Sequence, residues 1–241
     1  MQEFEILGVK VNYLPEHLAK ELLFDFLTSD QQHQIATVNP EFILEAQKNK
    51  KFKTILKETS LATIDGTGII WALQLNGHKV SLNHRLTGVR LTEMLLQIAS
   101  IKGYKVLFCL REDGFTKPEK LYFKLKEKYP NLEFQVAIEK EAILKGQILQ
   151  PEILLVGLGA PKQEEWIAEN LTRLSSVKIA AGIGGAVDFL SEAQKRAPKI
   201  FSSFGLEWFW RLIKQPNRLK RIFRATIIFP FLVIKNKLEK N

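Results

Sequence analysis

The residue with the clearest chemical potential is Asp65, which ends the apolar run LATID and is followed at once by Gly66-Thr67-Gly68. A strand that stops in a carboxylate and turns through glycines leaves that carboxylate at the rim of a sheet. There it can take a proton from a hydroxyl, or it can serve as a helix cap with no chemistry. Two further stretches, GLGAPKQEEW at 157 to 166 and GIGGAVD at 182 to 188, join a strand to a helix through glycines. Such turns leave backbone N–H groups and a positive helix end for phosphate, or they are only tight turns.

Several chemistries drop out on spacing. Thr63 stands where an aspartate-dependent phosphatase would carry its nucleophile. Lys162 and Val187 stand where the third glycine of a dinucleotide fingerprint belongs, and neither turn is a Walker loop. His17, His33, His78 and His84 lack ligand spacing, and no Asp-x-Asp triplet is available to hold a metal on a diphosphate. Metal-independent chemistry with no cofactor is the expectation. A departing nucleotide diphosphate then needs arginines or helix ends. Arg85, Arg211, Arg218, Arg221 and Arg224 are the candidates, each otherwise an ordinary surface arginine.

The elements that must position these groups follow from periodicity. Short apolar, β-branched runs at 6–11, 33–39, 61–65, 105–110, 132–138, 152–159 and 177–184 alternate with helical stretches beginning near 15, 40, 91 and 161. That alternation predicts an α/β fold, a mainly parallel, Rossmann-like sheet with helices on both faces. Ligands of such sheets bind beyond the carboxyl ends of the strands. Thr37, Asn39 and Glu41, Asp65 with its glycines, Gly157, Gly159 and Gln163, and Gly182, Gly184, Gly185 and Asp188 all fall there.

The chain has 241 residues and a net charge of +9, and the excess is localised. From Lys195 onward, twelve Lys or Arg face only Glu207 and Glu239, which leaves 23 basic and 24 acidic side chains before it. This predicts a core over 1–194 and a basic, aromatic helical appendage over 195–241. Trp208, Phe209, Trp210, Phe223, Phe229 and Phe231 interleave with its cations, which suits an anionic membrane surface. ATIIFPFLVI at 225 to 234 is ten residues and contains Pro230. A spanning helix needs about 20 residues, so this segment is expected to lie in a membrane surface rather than cross it. The single Cys109 and an N-terminus unlike a signal peptide point to the cytoplasm.

Taken together, TVNPEF at 37–42, DGTGI at 65–69, RLTG at 85–88, GLGAPKQEEWI at 157–167, GIGGAVDF ending at 189, RAP at 196–198 and GLEWFWRLIKQPNRLKR at 205–221 resemble the WecG/TagA/CpsF family of bacterial glycosyltransferases. The resemblance spans nearly the whole chain. It implies metal-independent, inverting transfer of an N-acetylmannosamine-type sugar from a UDP-sugar to N-acetylglucosaminyl-diphospho-undecaprenol, in teichoic acid or related polymer synthesis at the inner membrane face.

By the same resemblance Asp65 is the base, and Thr37, Asn39, Arg85 and Gln163 line the pocket. Gly184, Gly185 and Asp188 belong to the nucleotide site. The appendage closes over it with Arg211, Arg218, Arg221 and Arg224. One departure is that Val89-Arg90 follows RLTG, where the family often has a small residue.

Two rival classes are a nucleotide-dependent oxidoreductase and a basic nucleic-acid-binding module. The broken fingerprints disfavour the first, and the near-neutral core disfavours the second. An exposed apolar tail also predicts a homo-oligomer, since such patches rarely stay uncovered.

Overall fold

The computed structural model describes residues 1–82, 85–194 and 219–240. Eight strands form one sheet, in the order β1-β2-β4-β3-β8-β7-β5-β6. They are β1 (Gln2–Ile6), β2 (Val9–Tyr13), β3 (His33–Val38), β4 (Leu61–Ile64), β5 (Val106–Leu110), β6 (Phe134–Ile138), β7 (Ile153–Gly157) and β8 (Ile179–Gly182). Only β1 runs antiparallel to its neighbour. The central strands are almost wholly apolar because helices cover both faces, as expected for a parallel sheet.

The helices are α1 (Glu16–Thr28), α2 (Pro40–Ala46), α3 (Lys50–Glu58), α4 (Thr67–Leu75), α5 (Gly88–Lys102), α6 (Pro118–Lys128), α7 (Ala142–Leu149), α8 (Lys162–Asn170) and α9 (Ala186–Leu190). One face carries α1, α5, α6 and α9 over a core that includes Leu23, Leu95, Phe108 and Leu121. On the other face α2, α3 and α4 cover one half of the sheet, and α7 and α8 the other. The border between the halves lies where β3 meets β8, with Ala36 opposite Gly182.

One expected strand is corrected. Residues 6–11 are not one strand but the end of β1, a turn and the start of β2: Leu7 and Gly8 adopt φ of 51° and 75° and reverse the chain between the two strands. A two-residue turn with both central φ positive normally signals itself through Asn-Gly or Asp-Gly. Leucine in the first position hides it.

The C-terminal segment is corrected as well. α10 (Leu219–Phe223), a π turn (Arg224–Ile228) and α11 (Phe229–Lys240) form one helical run that passes through Pro230 instead of breaking there. Proline has no N–H and would crowd the carbonyl of Thr226, and the wider π turn just upstream relieves that clash. Phe229 and Val233 are buried in the core beside α2 and α4. The apolar run therefore divides its side chains between the core and the surface. Among the described residues no helix is long and apolar enough to cross a membrane.

Burying Phe229 fully makes it the anchor of this helix. Phe229→Ala should weaken its docking by about 3–5 kcal/mol. Amide exchange should then accelerate across 229–240 while β5 and β7 stay protected; unchanged exchange would show that the helix is held by other contacts.

Candidate active site

Asp65 sits directly after β4, half-buried, with its N–H donated to the Val38 carbonyl. Gly66 adopts φ 148°, and a Cβ at Gly68 would lie 2.8 Å from Pro40 Cγ. Glycine at 68 thus lets the start of α2 pack against the turn that begins α4. The Asp65 carboxylate accepts the backbone N–H of Gly88, the first residue of α5, at 3.2 Å. A carboxylate at the positive end of a 15-residue helix meets a favourable dipole, and the Gly88 N–H gives it a fixed direction.

Thr37 is brought to the same point. A Cβ on Gly88 would lie 3.5 Å from Thr37 Oγ1 and 3.7 Å from Asp65 Oδ2. The Thr37 hydroxyl donates to the Gly182 carbonyl at 3.1 Å, crossing from β3 to β8. Directly beside Thr37 in the sheet, Thr63 is buried with no hydrogen-bond partner for its hydroxyl among the described residues.

On the other side of β8 lies Gln163, at the start of α8 and 2% exposed. Its Oε1 accepts the N–H of Gly159, after β7, and the N–H of Gly184, after β8, both at 3.0 Å. One amide oxygen therefore ties the two glycine turns together. Its Nε2 donates to Glu164 Oε1 at 2.6 Å. A Cβ at Gly182 would lie 2.5 Å from that nitrogen and 2.4 Å from Glu164 Oε1, so a side chain there would displace this pair. Gly184 adopts φ 47° under the tie, and Gly185 is exposed beside it.

The remaining candidates divide. Asn39 caps α2, its Oδ1 accepting from Glu41 at 2.9 Å and Phe42 at 3.3 Å. Asp188 faces inward: its Oδ1 accepts from Thr116 Oγ1 at 2.7 Å, and Thr116 in turn meets Ser191 at 2.9 Å. Those bonds pin the short α9 to the loop after β5. Arg85 is half-buried in the segment leading into α5. Arg90 is engaged elsewhere, paired with Glu16 of α1 and held strongly protonated chiefly by that hydrogen bond. Among the described residues no group of three His, Cys, Asp or Glu gathers as a metal site.

A family model described as the glycosyl transferase WecG/TagA/CpsF family matches residues 4–241. The chain belongs to this family. Among curated relatives it is similar to a Staphylococcus aureus (strain MRSA252) protein named N-acetylglucosaminyldiphosphoundecaprenol N-acetyl-beta-D-mannosaminyltransferase. The two are 32% identical over 213 residues, covering 84% of this chain and 80% of the relative. A protein of the same name from Staphylococcus aureus (strain MW2) is 30% identical over the same shares.

In this family member, two of the four expected tail arginines, Arg211 and Arg218, lie outside the described residues, as do the RAP stretch and most of 205–221. Arg221 is described and bonds through Nε and Nη2 to Glu41 Oε2, in the first turn of α2 beyond Asn39. Arg224 opens the π turn. The helix that bears both therefore packs beside the strand ends that hold Thr37 and Asp65.

Sequence reasoning did not single out Gly88, Thr116, Ser191 or Glu164. Gly88 was visible within RLTG, but its N–H on Asp65 depends on where α5 begins. Glu164 reads in sequence as an acidic first-turn residue, which favours a helix N-terminus on the surface; instead it is fully buried.

Burial raises the Glu164 carboxyl from an ordinary 4.5 to about 8, against the lowering effect of its bond from Gln163. A raised folded value means that the folded protein keeps a proton that the unfolded chain releases. The resulting stability is complete below about pH 4.5 and is lost as pH rises to about 8, at up to ~1.4 kcal/mol per pH unit. Urea unfolding from pH 5 to 8 should show this decline in the wild type and a flatter profile in Glu164→Gln. Parallel profiles would mean that Glu164 ionises normally.

Proposed function

We propose that this glycosyltransferase moves N-acetylmannosamine, or a related sugar, from a UDP-sugar to N-acetylglucosaminyl-diphospho-undecaprenol, with inversion and without a metal. The observation that carries this reading is the meeting of Asp65, Thr37 and the N-terminus of α5 beside the two tied glycine turns. The names of the staphylococcal relatives supply the acceptor and the sugar class.

In this scheme Asp65 takes the proton from an acceptor hydroxyl. The oxygen attacks the anomeric carbon as the bond to UDP breaks, and the electron pair leaves on the diphosphate. Thr37 and Arg85 line the pocket, and the turns through Gly184 and Gly185 face the nucleotide. Helix ends and the arginines of the C-terminal segment, Arg211, Arg218, Arg221 and Arg224, stabilise the departing charge. Asn39, Gln163 and Asp188 shape this pocket through the caps and ties that they make.

The helical run from 219 also supports a peripheral place on an anionic membrane. Phe223, Ile227, Phe231, Ile234 and Leu238 are exposed and recur every three or four residues, opposite the buried Phe229 and Val233. Exposed Lys220 and Lys235 accompany that stripe. An apolar stripe with flanking cations suits the inner face of a bacterial membrane, where a polyprenyl acceptor resides and cell-wall polymers such as teichoic acid begin. It also suits a homo-oligomer that shields the stripe in solution. The core over 1–194 would then do the chemistry and the segment from 195 would bring it to the lipid.

UDP release from a panel of UDP-sugars in EDTA, with and without a short-chain diphospholipid bearing N-acetylglucosamine, tests the reading. Acceptor-dependent release with UDP-N-acetylmannosamine is expected. Release that requires a divalent cation would remove the metal-independent mechanism, and release from another donor alone would change the sugar.

A further inference from the structure

Glu164 has no part in the scheme above, yet it is fully buried at the centre of the site's framework. Its Oε1 accepts the Gln163 amide, its Oε2 has no hydrogen-bond partner among the described residues, and β8 carries glycine at 182 to make room for both side chains. The Gln163 amide has two orientations of nearly identical shape. Only one presents oxygen to the two N–H groups of Gly159 and Gly184; the other sets NH2 against two donors. In the working orientation the NH2 points into the protein, where an unanswered donor is costly. Glu164 supplies the acceptor that it needs.

We propose that Glu164 is a positioning residue: its buried carboxyl fixes the Gln163 amide so that the turns after β7 and β8 are held at one spacing, the spacing that receives the donor diphosphate. This rests on the nucleotide reading of those turns. The neutral acid is the form suited to the task, because it accepts through one oxygen without placing a negative charge behind a phosphate site. Its raised ionisation follows from burial, and the charge of Glu165 next to it adds to the effect. Gln34 of β3, which donates to the Glu164 backbone carbonyl, and Gly182 of β8 carry no charge.

The test is UDP binding by calorimetry on the full chain, for wild type, Glu164→Leu and Glu164→Gln, from pH 6.5 to 9. Leucine removes the acceptor and should weaken UDP binding about tenfold or more, whereas glutamine retains an acceptor oxygen and should bind within about twofold of wild type at pH 7. Above about pH 8, wild-type affinity should fall as the buried charge forms, and Glu164→Gln should not follow it. A folded Glu164→Leu that binds UDP like wild type would overturn the proposal. Should that variant fail to fold, coincident pH profiles for wild type and Glu164→Gln would overturn it instead. Wild-type protein that does not bind UDP at any pH would remove the nucleotide reading itself, an outcome distinct from either.

Discussion

The backbone of Gly182 is approached from two sides, by the Thr37 hydroxyl on its carbonyl and by the Gln163–Glu164 pair where a Cβ would stand. A side chain at that strand end would displace this packing, and the contacts that meet there run across six separate segments. Asp65 is oriented by Gly88, Gly88 lies over Thr37, Thr37 holds β8, and β8 carries the turn that Gln163 ties to β7. The proposed base and the two candidate phosphate turns thereby keep fixed relative positions. A transferase depends on such preorganisation, because its reacting centres must meet within a few tenths of an ångström.

The C-terminal helical run joins this framework from outside. Phe229 packs near Gly68, in the turn after Asp65, and Arg221 grips Glu41 at the start of α2. Both anchors fall on elements that hold the strand ends. A helix whose inner side is part of the core and whose outer side is apolar and basic would, in the proposed reading, connect the site with whatever covers that outer side. A lipid-linked acceptor approaching along a membrane would meet the two together.

Much of this was legible in the sequence. Seven apolar runs announced the strands, and six of them appear within about two residues of their expected bounds. The aspartate and glycine clusters after them marked the strand ends that converge. What the sequence hid has physical reasons. Leu7 occupies a turn position that ordinarily takes Asn or Gly, so a hairpin read as one strand. Phe229 and Val233 belong to a segment whose apolar content suits a core and a membrane surface equally, and only packing tells them apart. Asn39 and Gln163 are polar residues at strand ends, as ligand-binding residues would be, yet their side-chain oxygens form a helix cap and a tie between turns. Composition gives no sign of which partner a polar side chain will take.

The most direct test of the account is a comparison of turnover with donor binding in Asp65→Asn. Asparagine keeps the acceptor oxygen for Gly88 and the shape of the site but removes the base. The account predicts that acceptor-dependent turnover falls by about 10²–10⁴-fold while UDP-sugar binding stays within about threefold of wild type, a margin well under 1.4 kcal/mol. Turnover near the wild-type rate in a folded Asp65→Asn protein would contradict it, because the convergence at the strand ends would then serve structure and not proton transfer.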